Sequence, residues 1–219
     1  MVDAAQKNIL KNKYGDEQVF VTLFTGTAGV ADKFNRTDES IVKHLVSQGR
    51  YVFRYDAEYN MTFSQLIPYI IVMNKARTKI YVTKRIAGEE RLRDSYALGA
   101  GGHVNPCDSA MDKYCLLAGA ERELNEELNF RPCKGTELEY AGTVRDLQSN
   151  TGEHLGVVYI ATAASVSVRE KKNLKGIWMD YADLVKNYSA FESWGKHIID
   201  YIFQTEGFME KGDAENGHC

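Results

Sequence analysis

The chain has 219 residues, enough for one domain, or one domain with an extension, that buries a core without disulfide or metal staples. Hydrophobic residues at 44% and charged residues at 26% exclude wholesale disorder. Lys and Arg number 27 against 30 Asp and Glu, a formal net charge of −3, so a broad basic nucleic-acid surface is not favoured, although a local basic pocket is allowed.

The N-terminal sequence lacks the apolar segment of a secretory signal, and the longest apolar run, Leu66 to Met73, contains Pro68. That run is far short of the ~20 residues a membrane helix needs. Cys107, Cys115, Cys133 and Cys219 form no CxxC pair, and no His cluster completes a zinc spacing. The cysteines are therefore read as reduced thiols of a cytoplasmic protein.

In chain order, Val19 to Thr25 is β-branched and aromatic and predicts a strand. Thr37 to Gln48 predicts a helix with Ile41, Leu45 and Val46 on one face and Gly49 as its stop. Tyr51 to Tyr55 predicts a second short strand. Residues 1–60 are read as an extension packed on a main domain at 61–205. Ile67 to Met73 and Lys79 to Lys84 predict a hairpin around a loop at 74–78. A charged segment at 88–94 follows, then Gly99, Gly101 and Gly102, a density that fits tight turns or close backbone approach to a ligand. Cys115 to Asn129 predicts a strong helix. Strands are expected near Leu138–Arg145 and Leu155–Ala161, with a polar loop from Gln148 to Glu153 between them, and at Ile177–Met179. Helices are expected at Tyr181–Lys186 and Phe191–Phe203. The second carries an apolar stripe of Phe191, Trp194, Ile198 and Ile202, read as core. Residues 206–219 are read as a frayed tail. Strands, one central helix, more strands and terminal helices predict a mixed sheet covered by helices.

The central helix carries the chemistry. At about 100° per residue, Glu123, Glu126 and Glu127 fall within an arc of about 100°. Leu117, Ala120, Leu124 and Leu128 hold the neighbouring arc and should face the core. Arg122, four residues before Glu126, can partly balance the acids. Gly119 lies on the carboxylate arc one turn before Glu123, where it would leave open space. Repulsion between such carboxylates is only about 0.2–0.5 kcal/mol per pair, so a solvated acidic face is the competing reading. The position beside the apolar arc and the nearby glycines favour a divalent cation, which takes hard oxygen ligands.

At these residues the sequence resembles the Nudix (MutT-like) hydrolase superfamily. The second half of that family's signature is matched by Arg122-Glu123-Leu124-Asn125-Glu126-Glu127-Leu128-Asn129-Phe130. Asn129 stands where the family has glycine, and Asn is the next-best residue for a left-handed helix end. Tyr114 stands where the register places the signature's first Glu, and an insertion around Asn105–Met111 separates Gly102 from the helix. Asp108 or Asp112 is the candidate replacement for that Glu. The hairpin, the Gly101-Gly102-His103 loop, the later strands and the final helix follow the family's order over about 61–205. The flanking segments resemble a poorly characterised microbial subgroup sometimes labelled phosphoesterases.

The resemblance implies an α/β/α sandwich with a mixed sheet. It also implies a pyrophosphohydrolase that cleaves a nucleoside diphosphate linked to another moiety, with Mg²⁺ or Mn²⁺. Glu123, Glu126, Glu127 and the Gly102 carbonyl would hold the metal. Arg122 would orient the carboxylates, against the reading of an ordinary helix ion pair. Glu153 is the candidate general base from a distant loop, against an exposed loop acid. Arg91 and Arg93 would clamp phosphate, against plain surface charge. His103 is read as a hydrogen-bonded structural histidine rather than a ligand, and Trp178 as core rather than a stacking platform. The expected partner is a small nucleotide-like diphosphate, with no nucleic acid and no membrane, and a homodimer is allowed. Two alternatives stand beside this reading. One is an isopentenyl-diphosphate isomerase-like enzyme using Cys107 or Cys115. The other is a non-catalytic nucleotide sensor, which the intact Glu set argues against.

Overall fold

The computed structural model describes residues 4–27, 29–86, 95–109, 114–149, 151–169 and 171–205. The chain opens with helix α1 (Ala4–Tyr14), strand β1 (Gln18–Leu23), a 3₁₀ turn at Phe24–Thr27, β2 (Lys33–Asn35), α2 (Glu39–Ser47), β3 (Arg50–Phe53) and the short α3 (Arg54–Ala57). Next come β4 (Phe63–Asn74), β5 (Lys79–Arg85), β6 (Tyr96–Ala97), β7 (Ala100–Gly101) and the short α4 (Pro106–Ser109). They are followed by α5 (Cys115–Glu127), β8 (Leu128–Pro132), β9 (Glu139–Arg145), β10 (His154–Val168), β11 (Leu174–Asp180), α6 (Tyr181–Lys186) and, after a 3₁₀ turn, α7 (Ser193–Thr205). This is the mixed α/β architecture the pattern predicts, an open sheet with helices. No helix among the described residues is long and apolar enough to cross a membrane.

The chain divides into two compact units. One is drawn from residues 1–68, 102–120 and 142–157, the other from 69–101, 121–141 and 158–219. By these ranges β4, β9, β10 and α5 each give residues to both.

In the first unit β1 lies between β3 and the start of β4, antiparallel to both, with Val19 opposite Val52 and Val21 opposite Gln65. Val19, Val21 and Ala57 form a small apolar core, covered by Val52 and Phe63. Strand β2, absent from the predicted elements, pairs with β9, placing Phe34 opposite Val144. Helix α2 starts two residues later than predicted because Asp38 caps it, its carboxylate accepting the Ser40 N–H at 2.7 Å. Helix α1 was also not predicted. Among its described side chains only Leu10 is buried, so it shows almost no apolar stripe. It is fastened by polar and aromatic contacts: Lys7 pairs with Asp56, and the Arg54 guanidinium lies 4.2 Å from the centre of the Tyr14 ring. Arg145 is 2% exposed and donates to the hydroxyls of Thr27 and Ser64, both at 2.9 Å, and burial lowers its pKa.

In the second unit β5 runs antiparallel to β11, with Val82 opposite Ile177, and joins β4 at Met73 and Ile80. The predicted hairpin therefore stands. β4 is longer than predicted, and Pro68 sits inside it. The ladder to β1 ends at Gln65 and the ladder to β7 begins at Tyr69, so a residue with no N–H falls between the two. β10 runs to Val168, seven residues past the predicted end, because Ala163 to Val168 pair with β8 across a bulge. In α7, Ile198 and Ile202 are buried as the stripe predicts, and Phe191 is buried just before the helix.

Glu192 precedes α7 and acts as its cap. Its Oε1 accepts the Tyr69 O–H at 2.6 Å and the Gly195 N–H at 3.1 Å, and its Oε2 accepts the Trp194 N–H at 2.9 Å. The Tyr69 oxygen in turn accepts the Gly99 N–H at 2.8 Å. Burial pushes the Glu192 carboxyl above its ordinary 4.5, although these hydrogen bonds pull it back. A folded pKa above the unfolded one means that the folded state holds more protons in between, so stability falls as pH rises through that window. The wild-type thermal midpoint is therefore expected to decline relative to Glu192→Gln as pH rises from about 4.5, the ordinary value, through the raised one. A constant difference between the two proteins across mildly acidic pH would show that the group does not titrate as the burial argument requires.

Candidate functional site

Helix α5 presents its acids beside its buried face. Leu116, Ala118, Ala120 and Leu124 are buried, while Leu117 is only half-buried. Glu123 and Glu127 are half-buried and Glu126 is exposed. Arg122 Nη1 donates to Glu123 Oε1 at 2.6 Å and to Glu126 Oε2 at 3.1 Å. One guanidinium therefore fixes two carboxylates on adjacent turns. Glu127 lies close enough to Tyr69 that its charge adds to burial and Glu192 in raising that phenol's pKa. The donors are all carboxylate oxygens, which suits Mg²⁺ or Mn²⁺ and not a soft metal.

Two expectations about this helix are corrected. The helix ends at Glu127 rather than Asn129, and Asn129 is not left-handed but extended in β8, opposite Ser167. The Arg169 N–H takes the Glu127 carbonyl at 2.9 Å, so the helix end is closed from β10's side and needs no glycine-like turn. Gly119 does not leave open space. A Cβ there would meet Asp108 Oδ2 and Val104 at 3.3 Å and Pro68 at 3.5 Å. The glycine admits close packing of the inserted segment.

The described part of that inserted segment, residues 105–109, is anchored. It contains α4, whose Asp108 is 3% exposed and accepts the Asn105 N–H at 2.8 Å through Oδ2. Tyr51 of β3 donates to the Asn105 carbonyl at 3.1 Å and hydrogen-bonds the Ser109 hydroxyl at 2.6 Å. Of the two candidate replacements for the missing Glu, Asp108 is thus packed on α5, and Asp112 lies outside the described residues. Arg91 and Arg93 also lie outside them. Cys107 is an exposed free thiol and Cys115 a buried one whose pKa burial raises. Cys133 is disulfide-bonded, so the reading of reduced thiols holds for Cys107 and Cys115 but not for it.

Gly102 is half-buried in the first unit. Glu153, in the same unit, is not an exposed loop acid. It is 1% exposed and accepts the Tyr59 N–H at 2.9 Å through Oε1. Tyr59 needs that support because its φ is +56°, a left-handed conformation that costs a non-glycine residue about 1 kcal/mol or more. Trp178 is half-buried and packs edge-on against Tyr81, with ring centres 5.2 Å apart, inside the β5–β11 pair.

A second cluster was not read from the sequence. One donor atom from each of Glu58, His103 and His154 lies within 4.8 Å of the others. Glu58 is 4% exposed, and its Oε1 accepts Arg54 Nε at 2.8 Å. The rings of His103 and His154 meet edge-on at 5.5 Å between centres. Burial lowers the pKa of His154, while Glu153 and Glu58 work in the opposite direction. His103, expected as a hydrogen-bonded structural histidine, is one of the three members of this cluster. The three residues come from separate segments, so no local spacing advertises them.

Two known proteins resemble the chain over most of its length. Protein YmaB of Bacillus subtilis (strain 168) is 30% identical over 183 residues, covering 80% of this chain and 87% of its own. The crystal structure of Tm1382, a candidate Nudix hydrolase, matches with a TM-score of 0.73 at 27% identity, covering 85% of this chain and 98% of that one. No protein-family model matches.

Proposed function

Because the chain belongs to the Nudix hydrolase superfamily, we propose that it is a metal-dependent hydrolase cleaving the diphosphate linkage of a nucleoside diphosphate joined to a second moiety. The observation that carries this reading is the pair of carboxylates, Glu123 and Glu126, held on one Arg122 guanidinium along the half-buried edge of α5. Glu123, Glu126 and Glu127 are the residues that would hold Mg²⁺ or Mn²⁺. When bound, that ion neutralises charge on the diphosphate oxygens and lowers the pKa of a coordinated water. Arg122 keeps two carboxylates oriented, so less ordering is left to ligand binding. Asp108, packed on α5 at Gly119, stands in for the acid missing from the signature. Glu153 is assigned to holding Tyr59 and not to proton transfer, since its carboxylate is buried and engaged. Residues 1–60 would then serve as an extension to a hydrolase domain at 61–205.

The isomerase alternative, with Cys107 or Cys115 as its candidate nucleophile, draws no support from Cys115. Burial holds the Cys115 thiol protonated, and a thiol is a poor nucleophile.

The test is a hydrolysis screen with Mg²⁺ and with Mn²⁺. It covers nucleotide sugars, dinucleoside polyphosphates, NADH, ADP-ribose and nucleoside triphosphates, and follows release of nucleoside monophosphate or inorganic phosphate. Turnover of at least one class that disappears with a chelator and returns with metal is expected. No turnover of any class with either metal would overturn the reading.

A further inference from the structure

The geometry points to a second cation site in this protein: Glu58, His103 and His154 form a binding site for a divalent transition cation of the Zn²⁺ class. The donor set is two imidazoles and one carboxylate, which suits Zn²⁺, Co²⁺ or Ni²⁺ far better than Mg²⁺. Donor atoms within 4.8 Å of one another are close to what such an ion needs. Tetrahedral ligands at about 2.0–2.1 Å from zinc stand about 3.3 Å apart, so modest side-chain rotations close the set. Three protein donors leave a position for water or an oxygen anion.

A second observation points the same way. His154 is 9% exposed, and its Nε2 has no hydrogen-bond partner. A buried polar atom left unpaired costs about 1–3 kcal/mol unless something satisfies it, and a metal ion does so.

Glu58 is also held from behind by a side chain, as metal ligands are, and the two histidines sit on hydrogen-bonded backbone. Arg54 takes one oxygen of Glu58, and Arg54 is itself fixed by Glu17, to which it donates at 3.1 and 3.3 Å. The other Glu58 oxygen is left for a cation. Tyr59, next to Glu58, is locked in its left-handed conformation by Glu153, next to His154. That single hydrogen bond ties the segment bearing the first donor to the segment bearing the third. The Gln65 N–H takes the Glu153 carbonyl at 2.8 Å, and the His154 N–H takes the Thr151 carbonyl at 2.9 Å. His103 is anchored through its neighbour, since the Val104 carbonyl accepts the Phe20 N–H at 3.0 Å. The strain at Tyr59 is placed where it positions a candidate ligand, and strained residues concentrate at such sites.

The experiment uses the full chain, stripped with chelator and dialysed against micromolar Zn²⁺ or Co²⁺ in millimolar Mg²⁺, which occupies all-oxygen sites. Protein-bound metal is measured, and the Co²⁺ protein is examined for the visible absorption of nitrogen-ligated, low-coordinate cobalt. The expected result is about one equivalent retained, as for a three-ligand protein site, with a thermal midpoint that rises on Zn²⁺ addition. Glu126→Gln/Glu127→Gln protein should retain the metal. His103→Gln and Glu58→Gln should each lose it, with affinity down about 100-fold or more, while their circular dichroism matches that of the wild type. If either variant does not fold, the wild-type stoichiometry and cobalt spectrum decide alone. No retained Zn²⁺ in the wild type would overturn the proposal. Retention that survives His103→Gln, or that is lost in the Glu126→Gln/Glu127→Gln protein, would do the same.

Discussion

Glu127→Gln is expected to reduce Mg²⁺-dependent turnover by about 100-fold or more, equivalent to about 2.7 kcal/mol in the barrier at 1.36 kcal/mol per tenfold. The thermal midpoint of the metal-free protein should barely move. Glu127 is half-buried at the end of α5, four residues after Glu123, a spacing at which like charges repel when no cation is present. Gln keeps the size and one acceptor oxygen but supplies no charge to a cation. Glu126→Gln should show the same loss of turnover. Its exposed contact with Arg122 is worth well under 1 kcal/mol to the fold, as surface ion pairs are. Kinetics as a function of Mg²⁺ concentration and calorimetry of the metal-free proteins check both halves. A large drop in metal-free stability with turnover preserved would assign these acids to the fold and not to the chemistry.

The largest effect on folding is expected at Gly142. This residue lies in β9 with φ at +146°, and a Cβ there would stand 2.2 Å from the Asn35 carbonyl oxygen and 3.1 Å from its carbon. Both obstacles are backbone, so no rotamer change relieves them. Gly142→Ala must hold a strained conformation, which costs about 1–3 kcal/mol, and in addition push β2 off β9. The loss should exceed about 3 kcal/mol in denaturant unfolding, in the range that marks a named structural cause. Gly135, whose φ is +78° but which has open space around it, supplies the control. Gly135→Ala should cost only the conformational strain. Equal costs at the two positions would show that the contact with Asn35 is not what demands glycine at Gly142.

The sequence disclosed α5 because its signal is local. Acids and apolar residues repeat at the helical period, and Arg122, Glu123 and Glu126 touch within a single turn and a half. The hairpin of β4 and β5 was legible for the same reason, as two apolar runs joined by a short loop. Other features depend on distance. α1 lacks an apolar stripe and is held by Arg54 and Asp56, whose contacts appear in no periodicity. The second half of β10 is rich in Ser and Ala and became a strand only because β8 offers it a ladder. Gly119 resembled a vacancy on the wheel, and its reason for being glycine, Asp108 of the insert, is not on the helix at all. Glu58 and His154 were invisible as a pair because the chain brings them together through Glu153 and the left-handed Tyr59, a conformation no residue pattern announced.

The direct passage from α5 into β8 has a consequence for how this protein can diverge. Glu127 ends the helix and Leu128 begins the strand, with no loop residue between them. Most junctions of secondary structure absorb insertions and deletions in their loops. Here one added residue would turn the carboxylates by about 100° relative to the strand, or else shift β8 by one place and send its inward side chains outward. Helix phase and strand register are geared together like two wheels on one shaft. Substitutions can accumulate along this stretch, but its length is locked, and relatives that keep the carboxylates should align through it without gaps.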